Sequence, residues 1–463
     1  VPRRPGLPAP SEGDVNLGEA RGSWSAENVG PRAQAALRRD EAVFLRQCLS
    51  TPCLTAVRRA EGIWIEDADG RRYMDFHGNS VHHLGHGHPR VRQAIAAQLE
   101  ALSFAPRRFT CETAIALAER LLRLAPPGFE DGKVLFAPGG SEAIEIAIKL
   151  ARVATGRFKT LSFWDAFHGA GFGAASVGGE ALFREGRLGP LLPGAEHVPP
   201  FACFRCPFGF PQPSGAPDVE RCRLACARTM CFALAREADV AALVAEPVRA
   251  VPYLPPPGFW PEVQSACRDH GTLLVFDEIP TGLGKTGRLF ACEHAGVSPD
   301  ILVLGKALGG GILPLAAVIA RKGLDVAQHL ALGHYTHEKN PVLAAAALAT
   351  LDVIEEEGLA ERAAVLGAHA LARLGEIARG RPCVGEVRGL GLLIGVELVG
   401  PGDAPAPDLA ERVLYAALSR GLSLKTTMGS VLTLSPPLVI ERADLDRALD
   451  ILAESVDAAK AGG

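Results

Sequence analysis

Five places in this sequence set a reactive or ligand-binding side chain just after an apolar run. After residues 133–137 comes Pro138-Gly139-Gly140-Ser141, opening a helical pattern. After 159–163 comes Phe167-His168-Gly169, after 241–245 Glu246-Pro247, and after 272–276 Asp277-Glu278. After 301–304 stand Gly305 and Lys306, then further glycines. A Gly-Gly-Ser turn at a helix start presents backbone N–H groups and the positive end of the dipole, which suits a phosphate. The flat face of Phe167 can stack on an aromatic ring. Asp277 can hold a ring nitrogen protonated, and Lys306 can condense with an aldehyde. Pyridoxal 5′-phosphate carries phosphate, ring, ring nitrogen and aldehyde in one molecule. It asks for a lysine Schiff base and an acidic partner at its pyridine nitrogen. Lys306 would then serve twice, first as the anchor and, once displaced, as the proton-transfer base. Singly these motifs are ordinary. Gly-Gly-Ser is a common turn and cap, and Asp-Glu often ends a strand in solvent. The ordered conjunction is what points to a single ligand.

The elements that must position these groups are legible. Runs 133–137, 159–163, 241–245, 272–276 and 301–304 are continuously apolar, as strands covered on both faces tend to be. Amphipathic stretches such as 142–154 and 261–270 lie between them. That alternation predicts a mainly parallel α/β sheet, with ligands beyond the carboxyl ends of its strands. Segments 63–67, 70–76 and 384–399 read as hairpin pieces of a smaller α+β domain built from both termini, linked by a helix over 341–357. The expected division is a flexible arm at 1–24, small-domain residues 25–105, a large domain at 106–340, and the linking helix with the rest of the small domain at 341–463. The Pro/Gly-rich stretch 200–217 reads as a surface insertion.

The formal net charge is −4, which gives no footprint for a nucleic-acid or anionic-membrane partner. No apolar run reaches the roughly 18 residues of a membrane span. Eleven cysteines, an odd number in a long chain, do not make a secreted disulfide scaffold. The first residues lack the apolar core of a secretory signal. A cytoplasmic location is expected.

The sequence resembles the class III aminotransferases, a group of fold-type-I pyridoxal-phosphate enzymes, from about residue 63 to 452. The motifs that carry the resemblance include LGHGHPRV (84–91), APGGSEAIEIAIKLAR (137–152), LLVFDEIPTGLGKTG (273–287), PDILVLGKALGGG (299–311), HYTHEKNP (334–341) and RGLGLLIGVEL (388–398). The resemblance implies a large domain with a mainly parallel sheet of the seven-stranded type, plus a small α+β domain from both termini. It implies that Lys306 forms the Schiff base and that Asp277 pairs with the pyridine nitrogen. It gives the phosphate to Gly140 and Ser141 and ring stacking to Phe167, with His168 in the same cofactor-binding motif. It sets Glu246 on the substrate side. It sends Thr336 to the phosphate of a neighbouring subunit, so a homodimer with shared sites is expected.

Three departures bear on the reaction. Phe167 stands where tyrosine is usual, and Pro280 where many members carry a glutamine donor. Thr433, in LTLSPPLVI, stands where members handling α-carboxylates often have arginine. Arginine clamps a carboxylate bidentately and threonine does not replace it. Without that clamp the keto-acid half-reaction loses its anchor. Some members instead eliminate a β-substituent and release an aldehyde and ammonia. GHYTHEKNPVLAAAALATLDVIEEEGL (333–359) and CFRCPFG (203–209) resemble the (R)-1-hydroxy-2-aminoethylphosphonate ammonia-lyase branch. The expected reaction therefore converts 2-amino-1-hydroxyethylphosphonate to phosphonoacetaldehyde and ammonia. The alternative is an ω-aminotransferase whose acceptor clamp is another arginine, Arg388 or Arg249. A non-catalytic carrier is disfavoured by the presence of both Lys306 and Asp277. A phosphonate needs cations. Arg107 and Arg108, just before a helix, are the candidates, although a solvated arginine pair is an equally natural reading. Lys425 is a weaker one.

Two clusters look like metal sites. Cys203-x2-Cys206 and Cys222-x3-Cys226 have spacing a zinc ion could use, yet free cysteines are the plainer reading and the chemistry above needs no metal. His77, His82, His83, His86 and His88 read as packing and turn residues, with His83 a pocket-lining candidate.

Overall fold

The structure, a computed structural model, describes residues 18–47, 53–212 and 217–461. Seven strands form the central sheet. Their spatial order is Lys133–Ala137, Ala316–Ala320, Ile301–Leu304, Leu273–Asp277, Val240–Ala245, Lys159–Phe163 and Ala195–Val198. Ala316–Ala320 runs antiparallel to both its neighbours. The other ladders are parallel. Six strands therefore share one direction, and their carboxyl ends meet along one edge of the sheet. Val240–Ala245 is buried at every residue, which is why its sequence is an unbroken apolar run.

Helix Gly140–Thr155 packs across the sheet through Ile144, Ile148 and Ala151, and ends at Gly156, whose φ of 66° suits a left-handed cap. Behind the sheet, Phe163, Phe201, Phe259, Trp260 and Phe276 form a chain of edge-to-face rings. Such pairs add about 0.5–1.5 kcal/mol each beyond burial.

The termini meet in two smaller sheets. Val57–Glu61, Trp64–Asp67 and Arg72–Asp75 pair antiparallel, and Leu422–Ser423 joins Arg72–Asp75 in parallel. Val384–Leu390, Leu393–Leu398, Val431–Leu434 and Lys425–Thr427 form an antiparallel sheet. Helix Pro341–Glu356 opens on Asn340, whose side chain accepts the N–H groups of Val342 and Leu343. It packs against the helices Pro89–Ala101 and Glu112–Leu124. Among the described residues no helix is long and apolar enough to cross a membrane.

Three expectations are corrected. The arm expected at 1–24 lies outside the described residues as far as 17, but residues 19–24 belong to the helix Glu19–Asn28. Trp24 is buried there, its Nε1 donating to Ser419 Oγ at 3.1 Å. The stretch 200–217 is not merely a surface insertion, because Phe201 and Phe204 are buried and Phe201 joins the ring cluster. Strands Ala195–Val198 and Ala316–Ala320 were not anticipated.

Candidate active site

The carboxyl-end edge of the sheet opens into a cavity of about 170 Å³ lined by Gly140, Ser141, Phe167, His168, Glu246, Asp277, Pro280 and Lys306. Eight of the motif residues selected from the sequence thus converge on one volume, although they come from five separate stretches of chain.

Lys306 follows Ile301–Leu304 and opens a short turn, Lys306–Gly309. Its φ is 43°. A non-glycine residue held there stores about 1–3 kcal/mol of strain, a cost that collects at functional positions. Gly310 and Gly311 follow at φ 68° and 70° and let the chain turn back.

Asp277 ends its strand, and both its oxygens are held. His168 Nδ1 lies 2.8 Å from Oδ2, and the Ile279 N–H donates to Oδ1 at 3.0 Å. An ionised carboxylate only accepts, so Nδ1 carries the proton. Nε2 then accepts from Ser162 Oγ at 3.3 Å. Pair and hydroxyl are buried. Glu246 is buried too, its Oε1 accepting the Ala250 N–H at 3.0 Å.

Gly140 and Ser141 are the first residues of their helix, where N–H groups have no intrahelical acceptor. Ser141 Oγ accepts the Ala170 N–H at 3.1 Å, tying the Phe167-His168-Gly169 turn to the helix start. A Cβ on Gly169 would lie 2.5 Å from Ser141 Oγ and 2.8 Å from its Cα, and φ there is +134°. Gly169→Ala is expected to lower stability by about 1–3 kcal/mol and to weaken cofactor retention. Thermal melts with and without added pyridoxal 5′-phosphate check both effects.

Other sequence candidates lie elsewhere. Thr336, Arg107 and Arg108 are exposed on the chain's surface rather than in the cavity, and Arg107 Nη1 contacts His334 Nδ1. Arg388 does not offer a clamp: it pairs with Glu386 and with Glu397, the latter at 2.7 Å, and its Nε donates to Pro252 O. Arg249 is buried, with Nη2 on Asp165 O. His83 is buried and bonded to Gly282 O at 3.2 Å. The four cysteines Cys203, Cys206, Cys222 and Cys226 border one small cavity. Among the described residues, the one group with three ligand atoms close enough to share a metal is Asp75, His82 and His86. It is a hydrogen-bonded set, with His86 Nε2 3.0 Å from Asp75 Oδ2 and His82 Nε2 2.9 Å from Asp75 O.

Sequence reasoning missed Lys285. It is fully buried, and its Nζ donates to Pro436 O at 2.7 Å. Burial pushes its pKa down to about 7. The unfolded chain keeps this proton to higher pH than the folded protein does, so stability must rise between about pH 7 and the ordinary lysine value of 10.5. Lys285→Met is expected to flatten that rise, measured as unfolding free energy against pH. The signal in the sequence was a lysine in a glycine-rich stretch, Gly284-Lys285-Thr286-Gly287, in the loop after the buried strand Leu273–Asp277.

A family model for class-III aminotransferases matches residues 47–456. The chain belongs to the class-III aminotransferases. Among relatives of this aminotransferase-family chain, an (R)-1-hydroxy-2-aminoethylphosphonate ammonia-lyase of Vibrio splendidus is 44% identical over 96% of this chain and 95% of its own. A leucine/methionine racemase of Thermococcus litoralis is 36% identical over 92% of this chain and 96% of its own. An amine transaminase from an uncultivated Pseudomonas species, solved in its PLP-bound internal aldimine form, superposes with a TM-score of 0.81. It is 31% identical, covering 90% of this chain and 97% of that one. The protein is a pyridoxal-phosphate enzyme of the fold-type-I α/β class. Its cavity fits that cofactor, with an amine, an anchored carboxylate, an aromatic face and a helix start around one volume.

Proposed function

We propose that this class-III aminotransferase-family enzyme is an ammonia-lyase that converts 2-amino-1-hydroxyethylphosphonate to phosphonoacetaldehyde and ammonia. The observation that carries the reading is the lack of a carboxylate clamp. Thr433 is buried with its hydroxyl on Thr427 Oγ1 at 2.8 Å, and no arginine is among the residues lining the cavity. The 44% identity to the Vibrio splendidus lyase supports it.

When bound, pyridoxal 5′-phosphate supplies the electron sink for a carbanion next to the substrate nitrogen. Lys306 is the anchor and then the base that takes the proton from that carbon. Asp277, fixed by His168 and the Ile279 N–H, keeps the ring nitrogen protonated. Gly140 and Ser141 hold the phosphate at the helix start, and Phe167 covers the ring. Glu246 is the carboxyl group on the substrate side. The β-hydroxyl leaves as water, and water then hydrolyses the enamine to aldehyde and ammonia, so no acceptor is consumed.

In this reading the active form is a homodimer. Thr336 reaches the partner's phosphate, and Arg107 and Arg108 stand at the partner's entrance. Exposed Phe104 and Phe109 flank that segment, Phe104 lying edge-on to His337 at 5.3 Å. Ten described cysteines, all free, support a cytoplasmic location.

The fold match to an amine transaminase keeps one second reading, an ω-aminotransferase. The holoenzyme, given the aminophosphonate and no keto acid, separates the two. Catalytic release of ammonia and phosphonoacetaldehyde with the original absorption band returning supports the lyase. A band that converts to the amine form and recovers only with a keto acid overturns it.

A further inference from the structure

We propose that His77 and Lys425 form an anion subsite beside Lys306, which holds the phosphonate of the substrate. The identity of the anion rests on the lyase reading; the subsite itself rests on the following geometry.

Strand Leu422–Ser423 runs parallel to Arg72–Asp75, and the Phe76 N–H donates to Ser423 O at 2.8 Å. On the other side the Ser435 N–H donates to Phe76 O at 2.8 Å. His77 therefore emerges between the chain around residue 424 and the chain around residue 434. Lys425 is the register partner of Thr433. Residues directly opposite in an antiparallel pair share a face, so the Lys425 side chain leaves the sheet on the same side as the Thr427 and Thr433 hydroxyls, which bond each other.

The turn after His77, Gly78–Ser80, packs directly on the turn Lys306–Gly309. It is pinned from below: Asp75 Oδ1 accepts the N–H of His77 at 3.0 Å and of Gly78 at 2.9 Å. Asn79 and Ser80 are held at φ 47° and 59°, and such strained positions gather at functional sites. His77 thus stands at the margin of the lysine turn, and Lys425 lies close enough to act on its ring.

The electrostatics agree with this placement. Burial, and after it the charge of Lys425, pushes the His77 imidazole down to about 4, with Lys306 adding to the effect and Asp75 and His82 acting on the same ring. At neutral pH the ring is uncharged and offers an N–H, while Lys425 supplies the charge. A lysine point charge plus a neutral donor suits a tetrahedral oxyanion, whereas a planar carboxylate favours the arginine fork. The phosphorus of the proposed substrate lies two carbons from the nitrogen that Lys306 engages. Its anion site must therefore be an immediate neighbour of the lysine turn.

The test uses the holoenzyme and methylphosphonate, an anion with no amine, titrated by calorimetry. Wild type is expected to bind it. Lys425→Met should weaken binding by about tenfold or more, and His77→Ala by about fivefold or more, with His77→Gln restoring most of the loss. With the full substrate, KM should rise by similar factors while kcat changes less. The cofactor absorption band of each variant reports an intact site. Absence of wild-type binding, equal binding by every variant, or loss on Arg107→Ala or Arg108→Ala instead would overturn the proposal. Because methylphosphonate needs no turnover, failure to release ammonia without a keto acid sinks the lyase reading alone.

Discussion

Lys306→Ala is expected to lower turnover about 10⁴-fold, the upper range for loss of a positioned acid–base group. The loss of the covalent anchor comes on top of this. The backbone gives no reason for a folding defect, since alanine inherits the same φ of 43° that lysine already occupies. The strands on either side of the turn are fully buried and do not depend on the amine. Borohydride treatment followed by intact-mass measurement gives the second readout. Wild type should gain the mass of one reduced cofactor, and the variant should gain none. Turnover within tenfold of wild type would remove Lys306 from the chemistry.

Asp277→Asn carries the next largest effect, a fall of about 10²–10³ in kcat together with weaker retention of the cofactor. The carboxylate accepts from His168 and from the Ile279 N–H while keeping lone pairs for the cavity. Asparagine has one acceptor oxygen. If that oxygen stays on Ile279, its NH2 meets the proton on His168 Nδ1. The imidazole must then switch tautomer and donate through Nε2 to Ser162. In the proposed mechanism the ring nitrogen would also lose its anionic partner. Nitrogen-15 chemical shifts of His168 read the tautomer directly, and kcat reads the chemistry. An unchanged tautomer with full activity would mean that Asp277 only fills space.

The sheet was legible where burial on both faces forces unbroken apolar runs. Three of the five expected strands match the observed bounds, Val240–Ala245 starts one residue earlier than expected, and Leu273–Asp277 is shifted by one. Ala195–Val198 was missed because it is the edge strand, and its Glu196 and His197 dilute the apolar signal. Ala316–Ala320 was missed because an alanine-rich run fits a helix equally well. The cofactor-side residues could be picked out because each stands at a strand end, where topology converts sequence order into proximity. Lys285 could not, and Lys425 and His77 were visible only as a weak cation candidate and as one of a histidine cluster. Their neighbours are set by pairings between distant segments and by one carbonyl, Pro436 O, that no local pattern announces. For Arg107 and Arg108 the charge near a helix start is visible in sequence, and its destination is not.

The two-residue strand Leu422–Ser423 has a consequence for how the protein is made. Met74 finds its partner, Leu422, only after almost all of the chain has been synthesised. Until then the sheet of residues 57–75 emerges from the ribosome with an uncapped edge, which is open to pairing with the wrong chain. Long-range closure of this kind is slow, and the nascent intermediate exposes apolar surface while it waits. Low-temperature induction, which slows aggregation relative to this final closure, should raise the yield of intact enzyme more than added cofactor does.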